Sequence, residues 1–220
     1  MPDKKLILAS LGAMLFAAPL PATAKLIDQS EAGFTSAHSA RVAASPDDVW
    51  KMLRSPQNWW SAQHSWSGNA ANFWMDTQAG GCFCEKLPGP DGTLGSVQHA
   101  RILFAKPGEL LRLSGALGPL QSEAVTGTLT IQIKPIDGGG SIIRFDYAVG
   151  GYARFKFADI APVVDSVIGV QIAGLAKALG GAVSQSEAPG DVADEGNDLA
   201  GTAAALEAEA KKEVDAGPDR

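Results

Sequence analysis

Between residues 124 and 149 the chain alternates apolar and polar positions with a period of two. Val125, Leu129, Ile131 and Ile133 interleave with Thr126, Thr128, Thr130 and Gln132. Ile143, Phe145, Tyr147 and Val149 interleave with Ile142, Arg144 and Asp146. Strand side chains point alternately to opposite faces, so both runs read as strands with one buried and one wet face. "DGGG" at 137–140 is the turn between them. "PGPDG" at 88–92 and "KPGE" at 106–109 break two further apolar stretches in the same way. The pattern predicts six to seven antiparallel strands.

The period then becomes helical. Ile160, Val164, Val167, Ile168, Ile172, Leu175 and Leu179 form a wide apolar stripe that Gly180 or Gly181 can end. A face that long must be buried, and the inner face of the sheet is the available partner. Upstream, a strand ending near Ala43 meets a helix start: Ser45 as N-cap, Pro46 in the first turn, then Asp47 and Asp48. Ser55-Pro56 repeats the start for a second short helix. The order is strand, two short helices, about six strands, long helix: an α+β domain.

The ends of the chain read differently. Lys4 and Lys5 precede an apolar run from Leu6 to Leu20, and Ala22-Thr23-Ala24 forms a small-x-small site. This is the pattern of a signal peptide, residues 1–24, cut before Lys25. The run is shorter than the roughly 18 apolar residues of a membrane span. No later segment reads as long and apolar enough to span, so the mature chain is expected to be exported, periplasmic or secreted, without stable membrane insertion. Residues 181–220 hold ten acidic and three basic residues and no aromatic one. They read as an acidic, disordered tail that leaves the domain, 25–180, close to neutral. The net charge of −6 therefore belongs to the tail. Nothing basic and patch-like suggests nucleic acid. Composition leaves the oligomeric state open.

All five tryptophans, Trp50, Trp59, Trp60, Trp66 and Trp74, lie within 25 residues, with Phe73 among them. Trp50, on the first helix, reads as core. The neighbours Trp59 and Trp60 are not expected to face inward together from one short helix, so one of them should line a cavity or its rim. There is no phosphate-binding loop and no Gly-x-Ser-x-Gly elbow.

The element order, with "ASPDDVWKML", "AGGCFCE", "HSWSGNAANFWMD", "LSGALGPLQ", "YAVGGY" and "IAPVVDSVIGVQIAGL", resembles the SRPBCC (START-like) superfamily from about Phe34 to Leu179. Within it, the chain is similar to bacterial proteins called polyketide cyclase-like or heat-shock ATPase activator-like. The resemblance implies a helix-grip: a curved antiparallel sheet wrapped around the C-terminal helix. It also implies a small-molecule cavity, but no catalytic residue set, because one fold carries many functions.

Within that frame the expected ligand is apolar or amphipathic. Its expected contacts are Trp59, Trp60, Trp66, Trp74 and Tyr147, with room left by Gly169, Ala173 and Gly174 on the helix. The competing reading is an enzyme using Glu85, His64 or His99 as acid or base. Each also has a plain structural reading: His64 in a loop at the cavity mouth, His99 as a cross-strand neighbour, Glu85 exposed or paired with Arg101. The third reading is a protein-interaction module. Cys82 and Cys84 lie on a strand in this resemblance, with one residue, Phe83, between them. Their Cα spacing of about 6.7 Å and parallel side chains argue against a bridge. His99 opposite Cys84 would give only three metal ligands, so no metal and no cofactor are expected. Two reduced thiols are the preferred reading, with a redox role if one is exposed.

Overall fold

The computed structural model describes residues 26–184. The stretch read as a signal peptide, 1–24, and nearly all of the stretch read as an acidic tail lie outside the described residues. The described chain is α+β and matches the helix-grip expected from the sequence. Its strands are β1 (Leu26–Gln29), β2 (Gly33–Val42), β3 (Phe73–Met75), β4 (Cys82–Pro88) and β5 (Leu94–Lys106). They continue with β6 (Leu110–Ser114), β7 (Ala124–Pro135), β8 (Ser141–Tyr152) and β9 (Ala182–Ser184). The helices are α1 (Pro46–Leu53) and α2 (Phe157–Ala178). The strands form one antiparallel sheet in the order β1-β2-β8-β7-β6-β5-β4-β3, with β9 also paired to β2. The short β1, β3 and β9 are what the periodicity did not resolve. β9 begins inside the stretch that reads as tail.

The period-two reading holds in β7 and β8. Leu129, Ile131, Ile133, Ile143, Phe145, Tyr147 and Val149 are buried on one face. Glycines 138–140 take positive φ in the hairpin, where L side chains are strained. In α1, Ser45 Oγ accepts from the Asp48 amide, with Pro46 in the first turn, as the sequence predicts. The second helix start becomes a single 3-10 turn, Pro56–Asn58.

α2 ends in a Schellman motif. Gly180, at φ 69°, donates to Lys177 O, and Gly181 donates to Ala176 O. The stripe packs against the sheet through Phe157, Ala161, Val164, Ile168, Ile172, Leu175 and Ala176. Ile160, Val167 and Leu179 lie only half-buried beside it. α2 corrects one expectation. With 22 residues and a mean hydropathy of 1.4 over its most apolar window, it is long and apolar enough to cross a membrane. Here its inner face is buried on the sheet and carries Asp165 and Gln171, both hydrogen-bonded to other elements.

Candidate functional site

Between α1 and β3 the chain makes three 3-10 turns, Pro56–Asn58, Ala62–His64 and Ala70–Asn72. The first delivers Trp59 and Trp60 into the interior, with 5% and 7% of their surfaces exposed. This overturns the expectation that only one can face inward. The turn ends at Trp59, whose backbone leaves helical geometry (φ −140°, ψ −24°). Helical spacing therefore no longer separates the two rings. They meet edge-on at 5.4 Å. Trp59 packs on Phe145 at 6.3 Å, and Trp60 on Phe83 at 4.9 Å and Phe73 at 6.0 Å.

The two indoles differ in their polar ends. Trp60 Nε1 donates to the carbonyl of His64. Trp59 Nε1 is buried with no partner among the described residues. A buried unpaired donor costs about 1–3 kcal/mol, so native interiors rarely leave one without water or ligand.

Gln171 of α2 ties this segment to the helix. Its side-chain oxygen accepts from the Ser61 amide at 2.9 Å, and its nitrogen donates to His64 Nδ1 at 2.9 Å. One turn further on, Gly174 has no side chain where the Trp59 carbonyl lies. A Cβ there would sit 2.3 Å from that oxygen. Gly169 likewise faces the His38 ring, 3.0 Å from where its Cβ would be. The room left by these glycines is thus taken by the protein itself, and Ala173 faces solvent.

A second polar cluster joins two of the sequence candidates. Glu85 is fully buried, contrary to the exposed or Arg101-paired reading, and Arg101 lies exposed on the opposite face. Glu85 Oε2 meets His99 Nε2 at 2.9 Å and accepts from the Trp66 amide at 3.0 Å. Oε1 accepts from the Ser67 amide at 2.6 Å. Burial pushes the Glu85 carboxyl up, but the hydrogen bonds from Ser67, Trp66 and His99 outweigh it, so its pKa lies below the ordinary carboxylate value. Burial pushes His99 down, and Glu85 only partly offsets this. The pair rests as carboxylate and neutral imidazole. Phe73 and Phe83 flank the imidazole, each 5.2 Å from it.

A bulge makes this meeting possible. β4 pairs Phe83 with Ala100 but Cys84 with Gln98, so His99 is the extra residue of β5. His99 and Ala100 are both buried in succession. His99 therefore does not face Cys84, which removes the three-ligand metal arrangement. Among the described residues no three His, Cys, Asp or Glu side chains group as metal ligands.

The cysteines flank the same register shift. The structure pairs Cys82 with Cys84 in a disulfide, which corrects the expectation of two reduced thiols. Their Cα atoms are 5.5 Å apart, closer than the extended-strand value, at the point where the register with β5 shifts beside Phe83. That spacing lies within the disulfide range.

A third cluster was missed. Ser36 Oγ donates to Asp165 Oδ1 at 2.5 Å, and His38 Nε2 meets the same oxygen at 2.9 Å. All three are buried and tie β2 to α2. The signal was present: Ser36 and His38 share the apolar phase of Phe34, Ala40 and Val42, and Asp165 interrupts the helix stripe.

The remaining candidates are spread out. Tyr147 is buried, and its hydroxyl donates to Gly115 O and accepts from the Leu117 amide. Burial raises its pKa above the ordinary phenol value, with the Leu117 amide pulling the other way. Trp66 and Trp74 are exposed. An open cleft of about 490 Å³ lies on the outer face of the sheet, lined by Asp28, Ser30, Thr35, Thr126 and Thr128 among others, and not between sheet and helix.

No family model matches the chain, and no curated protein matches it. Solved structures do. An uncharacterized protein from Rhizobium leguminosarum is 18% identical over 69% of this chain and 97% of its own, with a TM-score of 0.48. A Rhodobacter sphaeroides protein is 20% identical over 70% and 96%, at 0.43. The di-domain ARO/CYC StfQ from the steffimycin biosynthetic pathway is 15% identical over 68% and 51%, at 0.47.

Proposed function

We propose that this protein is an exported SRPBCC-type binding protein for an apolar or amphipathic small molecule. The ligand lodges between the sheet and α2, at the segment that carries Trp59 and Trp60. The observation that carries this reading is the buried, unpartnered Trp59 Nε1 in an aromatic interior. Ligand sites of this class are apolar, with few polar groups that fix orientation. A carbonyl, carboxylate or ether oxygen would accept from Trp59 Nε1, and Trp60, Phe145 and Phe73 would contact the apolar part. Entry requires the segment from Ser55 to Asn72 to lift. That segment is irregular and is held to α2 and the sheet by a few identified bonds, those of Gln171 and Glu85. Opening lowers apparent affinity by the population of the open state.

The test is titration with a fatty acid, followed by tryptophan emission. A saturable change at micromolar concentration supports the reading, and Trp59→Phe, which keeps a ring but loses the donor, should weaken binding about fivefold to tenfold. No saturable response below about millimolar, or an unchanged affinity in Trp59→Phe, contradicts it. Export is tested by intact mass: the mature chain should begin at Lys25, and a cytosolic protein retaining Met1 would contradict it.

The Glu85–His99 pair favours a second reading, an enzyme of cyclase- or hydrolase-like chemistry. A neutral imidazole held by a carboxylate can act as a general base. His99→Gln separates the two: it should abolish turnover in an enzyme and leave fatty-acid binding intact in a carrier.

A further inference from the structure

The cysteine pair lies on the opposite face of β4 from the proposed ligand site. We propose that Cys82 and Cys84 form a reversible dithiol–disulfide site that exchanges with dithiols. A disulfide stabilises mainly by restricting the unfolded chain, and the restriction grows with loop length. Cys82 and Cys84 are two residues apart, so the bridge closes almost no loop. Hydrogen-bonded pairing with β3 and β5 already fixes this strand. The bridge adds little as a staple, and its chemistry is what remains.

The surroundings suit exchange. Cys84 is buried and stands opposite Trp74 in the register, whereas Cys82 is half-exposed and stands opposite Arg101. Residues directly opposite on antiparallel strands share a face within side-chain reach. The Arg101 guanidinium also lies 3.8 Å from where a Gly80 Cβ would be, an ordinary contact distance, so it reaches over the chain just before Cys82. A neighbouring guanidinium favours a thiolate.

In the exchange, a thiolate of an incoming dithiol attacks Cys82 Sγ, the more accessible sulfur. The Cys82–Cys84 bond breaks, and Cys84 leaves as a thiolate that takes a proton from solvent. The second thiolate of the dithiol then attacks its own sulfur in the mixed disulfide. The dithiol becomes a disulfide, and Cys82 leaves as a thiolate beside Arg101. Two electrons pass from the dithiol to the cysteine pair.

The purified protein is equilibrated in dithiothreitol redox buffers of graded ratio, acid-quenched, alkylated and weighed. A reversible change between no label and two labels, without denaturant and with unchanged circular dichroism, is expected. Cys84→Ser leaves Cys82 alone, which should form a mixed disulfide with oxidised glutathione. Adding Arg101→Gln to that variant should raise the pH midpoint of the reaction by about half a unit to one unit, and Arg101→Lys should restore most of it. Three results would each overturn the proposal: no labelling at any ratio without denaturant, two labels even in the most oxidising buffer, or a pH midpoint indifferent to Arg101→Gln.

Discussion

Glu85 is fully buried on β4, where a carboxylate needs hydrogen-bond partners for both oxygens. A strand glutamate with an arginine on the neighbouring strand reads as a surface ion pair. Its actual partners are two backbone amides from a loop 18 and 19 residues earlier, and a histidine that the strand alternation places elsewhere. Replacing Glu85 by Gln leaves one of those amides facing an NH₂ group, and should cost about 2–4 kcal/mol in urea unfolding. The pair also sets a pH dependence. The ordinary values are 6.5 for His99 and 4.5 for Glu85, and both are lowered in the fold. For each, the unfolded chain takes up its proton first as pH falls. The His99 contribution is fully present above 6.5 and declines below it, and that of Glu85 declines only below 4.5. Between pH 7.5 and 5.5 the wild type should therefore lose stability, and His99→Gln should lose less. Equal losses in the two proteins would show that His99 is not the titrating group.

At the scale of elements, what was legible was whatever kept one period. β7 and β8 hold strict alternation, and α2 holds one stripe, so both were readable from the sequence. β5 does not. It carries extra residues at His99 and at Leu103, so His99 and Ala100 both face in while Leu103 and Phe104 both face out. No alternation count can place His99 beside Glu85, because the bulge is set by pairing with β4 and β6. The 3-10 turns hid Trp59 for the same reason. Its inward position depends on a turn ending at that residue, not on a helical period. Gly174 is the complementary device: the glycine that the sequence suggests as ligand space receives the Trp59 carbonyl instead. Gly174→Ala should thus destabilise the fold by about 1–3 kcal/mol and displace the Trp59 segment, read as lower melting temperature and red-shifted tryptophan emission. An alanine variant as stable as wild type would mean that the segment is not seated on the helix at that point.

Across the described molecule, the sheet and α2 make a core that three internal polar clusters cross: Ser36–His38–Asp165, Glu85–His99 with its two amides, and Gln171 with Ser61 and His64. Each joins a strand or the Trp59 segment to another element, and each is satisfied. Trp59 Nε1 is the one buried side-chain polar atom among the described residues that is not. We propose that a ligand oxygen completes it. The five tryptophans should give five indole N–H cross-peaks in a two-dimensional ¹⁵N–¹H spectrum, and Trp59→Phe assigns one of them by its loss. On titration with a fatty acid, that cross-peak should move saturably and more than the peaks of exposed Trp66 and Trp74. A Trp59 cross-peak that stays fixed while the protein saturates with fatty acid would contradict a ligand contact at Trp59 Nε1.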